Sequence, residues 1–158
     1  MILRYVFAAL LIVAGLTGSV FADSYGDLKL YNTKGNFNEV KEAVADGILN
    51  RGFVIDYHGF VGNMLKRTGK DVGSAKALYK DAEFYQFCSA SLTRKAIEAD
   101  PRNIGYCPYV VVVYELASTA GTVHVGYRQP GMVGSAESKE AMATIDKLLD
   151  DIAREATK

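Results

Sequence analysis

An α+β domain, a two-layer sandwich of a mainly antiparallel sheet with helices on one face, is the fold class this 158-residue sequence predicts. Three observations carry it. Helical periodicity and strand alternation succeed one another in the order helix, strand, strand, helix, strand, strand, helix. The two most strand-like segments of the second half, "YVVVVY" at 109–114 and "TVHVGYR" at 122–128, are separated by a turn around 118–121, as in an antiparallel hairpin. Apolar residues make up 49% of the chain, enough to fill one sizeable core at about one domain's length.

The first helix is predicted from Asn36, where Phe37, Val40, Val44 and Ile48 lie on one stripe, Asn36 and Glu39 are placed as a capping box, and Gly52 is the stop. Phe53 to His58 alternates as a strand does, with Phe53, Ile55 and Tyr57 on one side and Val54, Asp56 and His58 on the other. Val61 to Arg67 reads as one or two helical turns before a loop at 69–73. Glu83 to Cys88 is an aromatic-rich strand, and Ser89 or Ser91 caps a helix that runs to about Ala99 and is closed by Pro101. After the 131–134 loop, Ser135 caps a long last helix with the stripe Met142, Ile145, Leu148 or Leu149, and Ile152. Leu28 to Tyr31 adds an edge strand.

Met1 to Tyr5 carries Arg4, Val6 to Val13 is unbroken apolar sequence, and Gly18 to Ala22 is richer in small residues. That is the pattern of a secretory signal peptide cut between Ala22 and Asp23. The expected organisation is a signal peptide at 1–22, a lead-in at 23–36 and a single domain at 37–158. The expected location is exported, periplasmic or secreted, with no membrane span after cleavage, because no later segment reaches ~18 uninterrupted apolar residues.

Basic and acidic residues number 18 each, so no global positive excess exists to collect phosphates and nucleic acid is not an expected partner. Both faces of Tyr109 to Tyr114 are apolar, Tyr109, Val111 and Val113 on one and Val110, Val112 and Tyr114 on the other. Something is expected to cover the second face. A symmetric homodimer supplies that cover most simply, and a ligand-lined cleft is the competing use.

The segment "FYQFCSASLTRKAIEADPRNIGYCPYVVVVYE", preceded by an amphipathic helix and a Gly-Phe-Val strand and followed by "VGYRQP" and a helical tail, resembles the uncharacterised family known as domain of unknown function 302. The likeness spans about Phe37 to Ala156. It rests on Cys88 at a strand end, Ala99-Asp100-Pro101, Cys107-Pro108, and the Val-rich strand ending in Tyr114-Glu115. Members of the family with Asn-Pro after the first cysteine and Pro-Cys before the Val-rich strand differ from this chain, which has Ser89-Ala90 and Cys107-Pro108 and looks like an exported branch. The resemblance implies a TATA-binding-protein-like two-layer topology, commonly dimeric, and no established reaction.

Exactly two cysteines in an exported domain favour a disulfide on counting alone. Geometry argues the other way: a helix of about nine residues after Cys88 runs ~13 Å back along the sheet, whereas a disulfide needs Cα atoms within ~7 Å. A bridge, two buried free thiols, and a functional thiol or metal site all stand as readings of Cys88 and Cys107. Cys88 at a strand-to-helix junction is where a helix dipole lowers a thiol pKa, although cysteine is also among the most often buried residues. His58 and His124 are read as facing the same way on the polar sides of their strands, with no local spacing of a metal site and ordinary half-exposed histidines as the simpler account. No G-x-S-x-G, P-loop or Rossmann fingerprint is present. The aromatic residues of the central strands, with Cys88, Tyr109, His124 and Tyr127 as candidate cleft lining, suit a small ligand or a protein interface, and core packing explains most of them equally. The sequence therefore reads as a non-enzymatic exported module, homodimeric, that binds a small molecule or an envelope protein. The alternative is a thiol-dependent redox or metal-handling protein that uses Cys88 with Cys107. No cofactor is named by either reading.

Overall fold

The computed structural model describes residues 22–74 and 76–158, and the expected signal peptide, up to residue 21, lies outside the described residues. The elements are β1 (Asp23–Tyr25), β2 (Leu28–Lys34), α1 (Phe37–Leu49), β3 (Ile55–Gly59), α2 (Val61–Thr68), β4 (Tyr79–Phe87), α3 (Ala90–Ala99), β5 (Tyr109–Leu116), β6 (Thr122–Arg128) and α4 (Ala136–Glu155). A 3-10 helix, Pro101–Tyr106, links α3 to β5. The strands form one sheet in the order β1-β2-β6-β5-β4-β3, every pair antiparallel. The fold is α+β, as the sequence predicts.

Alternation in β5 and β6 sorts the two faces. Tyr109, Val111 and Val113 with Val123, Val125 and Tyr127 are buried under the helices, where they meet Val44 and Ile48 of α1 and Met142, Ile145, Leu149 and Ile152 of α4. Each aliphatic side chain in the α4 stripe is worth roughly 1.5–3 kcal/mol on burial, so packing rather than intrinsic propensity holds this helix in place. Asn36 caps α1 by accepting from the Asn38 N–H at 2.8 Å, without the reciprocal bond of a full capping box. The chain leaves α1 through Gly52 at φ +78°, a left-handed conformation that a residue with a Cβ enters only with strain.

α1, α3 and α4 cover one face. α2 instead packs against the other side of β4, where Gly62 sits so close to Ala82 that an added Cβ would lie 2.8 Å from its backbone nitrogen. The edge strand seen in the sequence at Leu28 to Tyr31 is longer than expected: β2 runs to Lys34, pairs with β6 along its whole length, and carries β1 on its outer side.

This geometry selects one of the three readings of the cysteines and corrects the placement of the histidines. Cys88 and Cys107 are joined in a disulfide, with Cα atoms 6.1 Å apart. α3 does carry the chain away from Cys88, but the 3-10 segment brings it back along α3. Asp100 ends α3 and its carboxylate accepts from the Arg102 N–H, while the Asn103 side chain donates to the Ala96 carbonyl at 2.9 Å. Because Phe87 pairs with Tyr109, the end of β4 and the start of β5 lie side by side, and a cysteine flanks each. The histidines do not face the same way. A bulge between Ile55 and Tyr57 shifts the alternation of β3, so His58 lies opposite Tyr85 on the helix side, whereas His124 lies opposite Tyr114 on the other.

Candidate functional site

The four side chains proposed as one cleft are divided by the sheet. Tyr109 and Tyr127 are 3% and 0% exposed beneath the helices, and His124 is half-buried on the opposite face. Cys88, half-buried, lies past the end of β4 and is committed to Cys107. Strand periodicity makes the separation unavoidable: Tyr127 and His124 are three residues apart in β6, an odd spacing, so they point to opposite sides.

On the helix side these tyrosines are tied into polar networks. The Tyr109 hydroxyl is 2.9 Å from Thr93 Oγ1 of α3. The Tyr127 hydroxyl lies 3.2 Å from Asp146 Oδ1 and 3.3 Å from Asp150 Oδ1 of α4, and burial, followed by those two carboxylates, pushes its ionisation far above the usual tyrosine range. Asp150 also accepts from the Tyr31 hydroxyl and pairs with Lys29 Nζ at 2.5 Å. Burial alone would raise the Asp150 pKa, but the bonds from Lys29 and Tyr31 outweigh it and hold the carboxylate below its ordinary value. These bonds fasten α4 to β2 and β6. A second group joins His58 Nε2 to Glu83 Oε2 at 2.6 Å, with Lys41 of α1 3.4 Å from the other carboxylate oxygen. Among the described residues no three His, Cys, Asp or Glu side chains are grouped to hold a metal ion.

The opposite face is of another kind. Tyr114 stacks on His124 with centroids 4.7 Å apart, and Tyr79 meets the Tyr114 ring edge-on at 5.6 Å. Val110 and Val112 of β5, Leu28 and Leu30 of β2 and Phe84 of β4 complete a half-exposed apolar surface. Among the described residues no helix lies across its β2-β6-β5 part. Burial first, and the Lys34 ammonium second, keep the His124 pKa below its ordinary value, so near neutral pH its ring adds to this surface as an uncharged aromatic. Where the face ends, a hollow of about 280 Å³ is lined by Leu28, Tyr106, Pro108, Val112 and Arg128, and Tyr109, alone of the four expected cleft residues, also borders it. The sequence signal for this face is the two-sided apolar pattern of Tyr109 to Tyr114. The contributions of Leu28, Leu30 and Phe84 carry no signal until the strand order is known.

The model of the family described as "Domain of unknown function DUF302" matches residues 30–156. The chain belongs to this family. Among solved structures it is similar to an uncharacterised conserved DUF302 protein from Bacillus stearothermophilus, with a TM-score of 0.68 at 18% identity. That likeness covers 84% of this chain and 99% of the other, and at such identity it concerns the fold alone. A search of curated proteins finds no match. DUF302 membership thus fixes the architecture and assigns no biochemical role.

Proposed function

We propose that this DUF302 protein is an exported, non-enzymatic binding module that acts as a homodimer through the sheet face opposite α1, α3 and α4, beside α2. The observation that carries the reading is the half-exposed run Val110, Val112 and Tyr114, continued by Leu28 and Leu30, in the middle of a sheet whose other face is fully packed. Apolar side chains on central strands favour burial, and two-fold pairing covers the same patch on both copies with one set of contacts. The hollow beside Tyr106, Pro108 and Arg128 opens at the rim of that face and is the place for a small ligand in the same assembly.

Sedimentation equilibrium of the purified protein and of Val112→Lys tests the reading. A dimer that becomes a monomer with unchanged circular dichroism supports it. A monomeric parent protein at concentrations of about 50 μM, well above the ~1 μM Kd of an ordinary association, or a Val112→Lys dimer as tight as the parent, overturns it.

A thiol-redox reading has one observation in its favour, the half-exposed Cys88–Cys107 bridge at the margin of the sheet. A Cys88→Ser/Cys107→Ser protein that still dimerises and still retains its partner through purification removes that reading.

A further inference from the structure

We propose that α2 and the loop after it form a surface, beside the dimer face, that docks on the anionic face of a lipid bilayer. α2 has an inner and an outer side. Gly62 turns inward onto Ala82, which anchors the helix. One turn apart on its outer side stand Phe60, 48% exposed, and Met64, 42% exposed, followed by Arg67. With Tyr57 and Phe84 these residues border an open hollow of about 520 Å³. The following loop adds Val72 and Leu78, 73% and 50% exposed.

Cations follow these apolar groups along the segment, and Arg67 lines the same hollow as Phe60 and Met64. Lys66, Arg67, Lys70 and Lys76 are all exposed, and among the described residues none of them makes an ion pair. Lys66 Nζ donates only to the Lys80 carbonyl. Asp71 is the single acid between Phe60 and Lys80, in a chain whose basic and acidic residues cancel over its full length. This segment therefore carries a local excess of positive charge.

Both halves of the pattern are needed to choose the partner. A soluble polyanion uses the cations and leaves Phe60, Met64, Val72 and Leu78 in water. At a bilayer surface the apolar side chains enter the boundary between headgroups and acyl chains while Lys and Arg meet the lipid phosphates. Among the described residues no helix is long and apolar enough to cross a membrane, so the contact lies on the surface.

Co-sedimentation of the purified protein with phosphatidylglycerol-containing vesicles and with pure phosphatidylcholine vesicles tests this. Three proteins are compared: the parent, Lys66→Ala/Arg67→Ala/Lys70→Ala, and Phe60→Ser/Met64→Ser. Any contribution of the apolar N-terminal run is common to all three. The expected results are binding to the anionic vesicles that weakens with salt, little binding to the neutral ones, and about a 100-fold loss in the triple variant, at roughly fivefold per cation. The apolar variant is expected to lose at least tenfold. Unchanged circular dichroism in both variants ties the losses to the surface. Failure of the parent to bind anionic vesicles at low salt overturns the proposal, as does equal binding by all three proteins. If polyphosphate binds as tightly as the vesicles, and Phe60→Ser/Met64→Ser leaves vesicle binding intact, the surface belongs to polyanions and the bilayer proposal falls.

Discussion

Tyr114 and His124 stack across the β5–β6 pair with their ring planes within 12° of parallel, on the sheet face that α1, α3 and α4 leave uncovered. The stack ties the chemistry of that face to pH. Burial, and then the Lys34 ammonium, hold the imidazole below its ordinary 6.5. The folded protein binds this proton more weakly than the unfolded chain does. Stability is therefore lost as pH falls from about 6.5 through the depressed folded value, and is regained as pH rises. Thermal melting across this range is expected to show the parent losing more than His124→Gln on acidification. Parallel pH profiles for the two proteins would count against the assignment. If the dimer forms through this face, acid is also expected to weaken it in sedimentation.

The Cys88–Cys107 bridge spans a sequence separation of 19. Closing a loop of that length in the unfolded chain is worth about 3 kcal/mol in the chain-entropy account. Urea denaturation of Cys88→Ser/Cys107→Ser is expected to show that loss with native circular dichroism retained at zero denaturant. A change below ~1 kcal/mol would show that the bridge does little to restrict the unfolded ensemble.

Asn103 is buried, 4% exposed, and its amide donates to the Ala96 carbonyl and to Ser138 Oγ, so one side chain joins the 3-10 segment to both α3 and α4. Asn103→Ala is expected to cost about 2 kcal/mol, because two buried acceptors lose their donor. Asn103→Asp is expected to cost more, since a carboxylate offers no N–H to the carbonyl. Hydrogen exchange is the check, with protection falling first in 101–106.

Two helical glycines are expected to respond with opposite signs. A Cβ on Gly62 would lie 2.8 Å from a backbone nitrogen of β4, so Gly62→Ala pushes α2 off the sheet at a cost of about 1–3 kcal/mol. A Cβ on Gly47 would meet Ile152 Cγ2 at 3.5 Å, an ordinary contact, so Gly47→Ala stabilises α1 by up to ~1 kcal/mol. Chemical denaturation of the two variants decides the signs. Equal shifts would mean that α2 is not held by this close approach.

The parts of the fold that were legible in the sequence are those in which local pattern and tertiary packing agree. Val123, Val125 and Tyr127 alternate into the core as their spacing predicts, and the α4 stripe resolves to Leu149 rather than Leu148 at its centre. What was not legible depends on relations between segments. The bulge at Ile55/Tyr57 is a property of the β3–β4 pair, and it turned His58 away from His124. The disulfide is one of three open readings in the sequence because the length of α3 argues against it, although a stronger constraint favours it. If β4 and β5 are antiparallel neighbours, their joined ends meet whatever path the connection takes. Tyr109 and His124 were grouped as a cleft by residue type, and that grouping fails because aromatic character is shared by core and surface positions alike.

The bridge at the β4–β5 margin has a consequence for the molecule wherever no reductant is present. α3 and the 3-10 helix leave the sheet and rejoin it beside a single covalent tie. A protease that cuts anywhere between Cys88 and Cys107 therefore releases no fragment. Clipped molecules migrate as one species until a reductant divides them, so an apparent resistance to degradation on a non-reducing gel would report this ring rather than an uncut backbone.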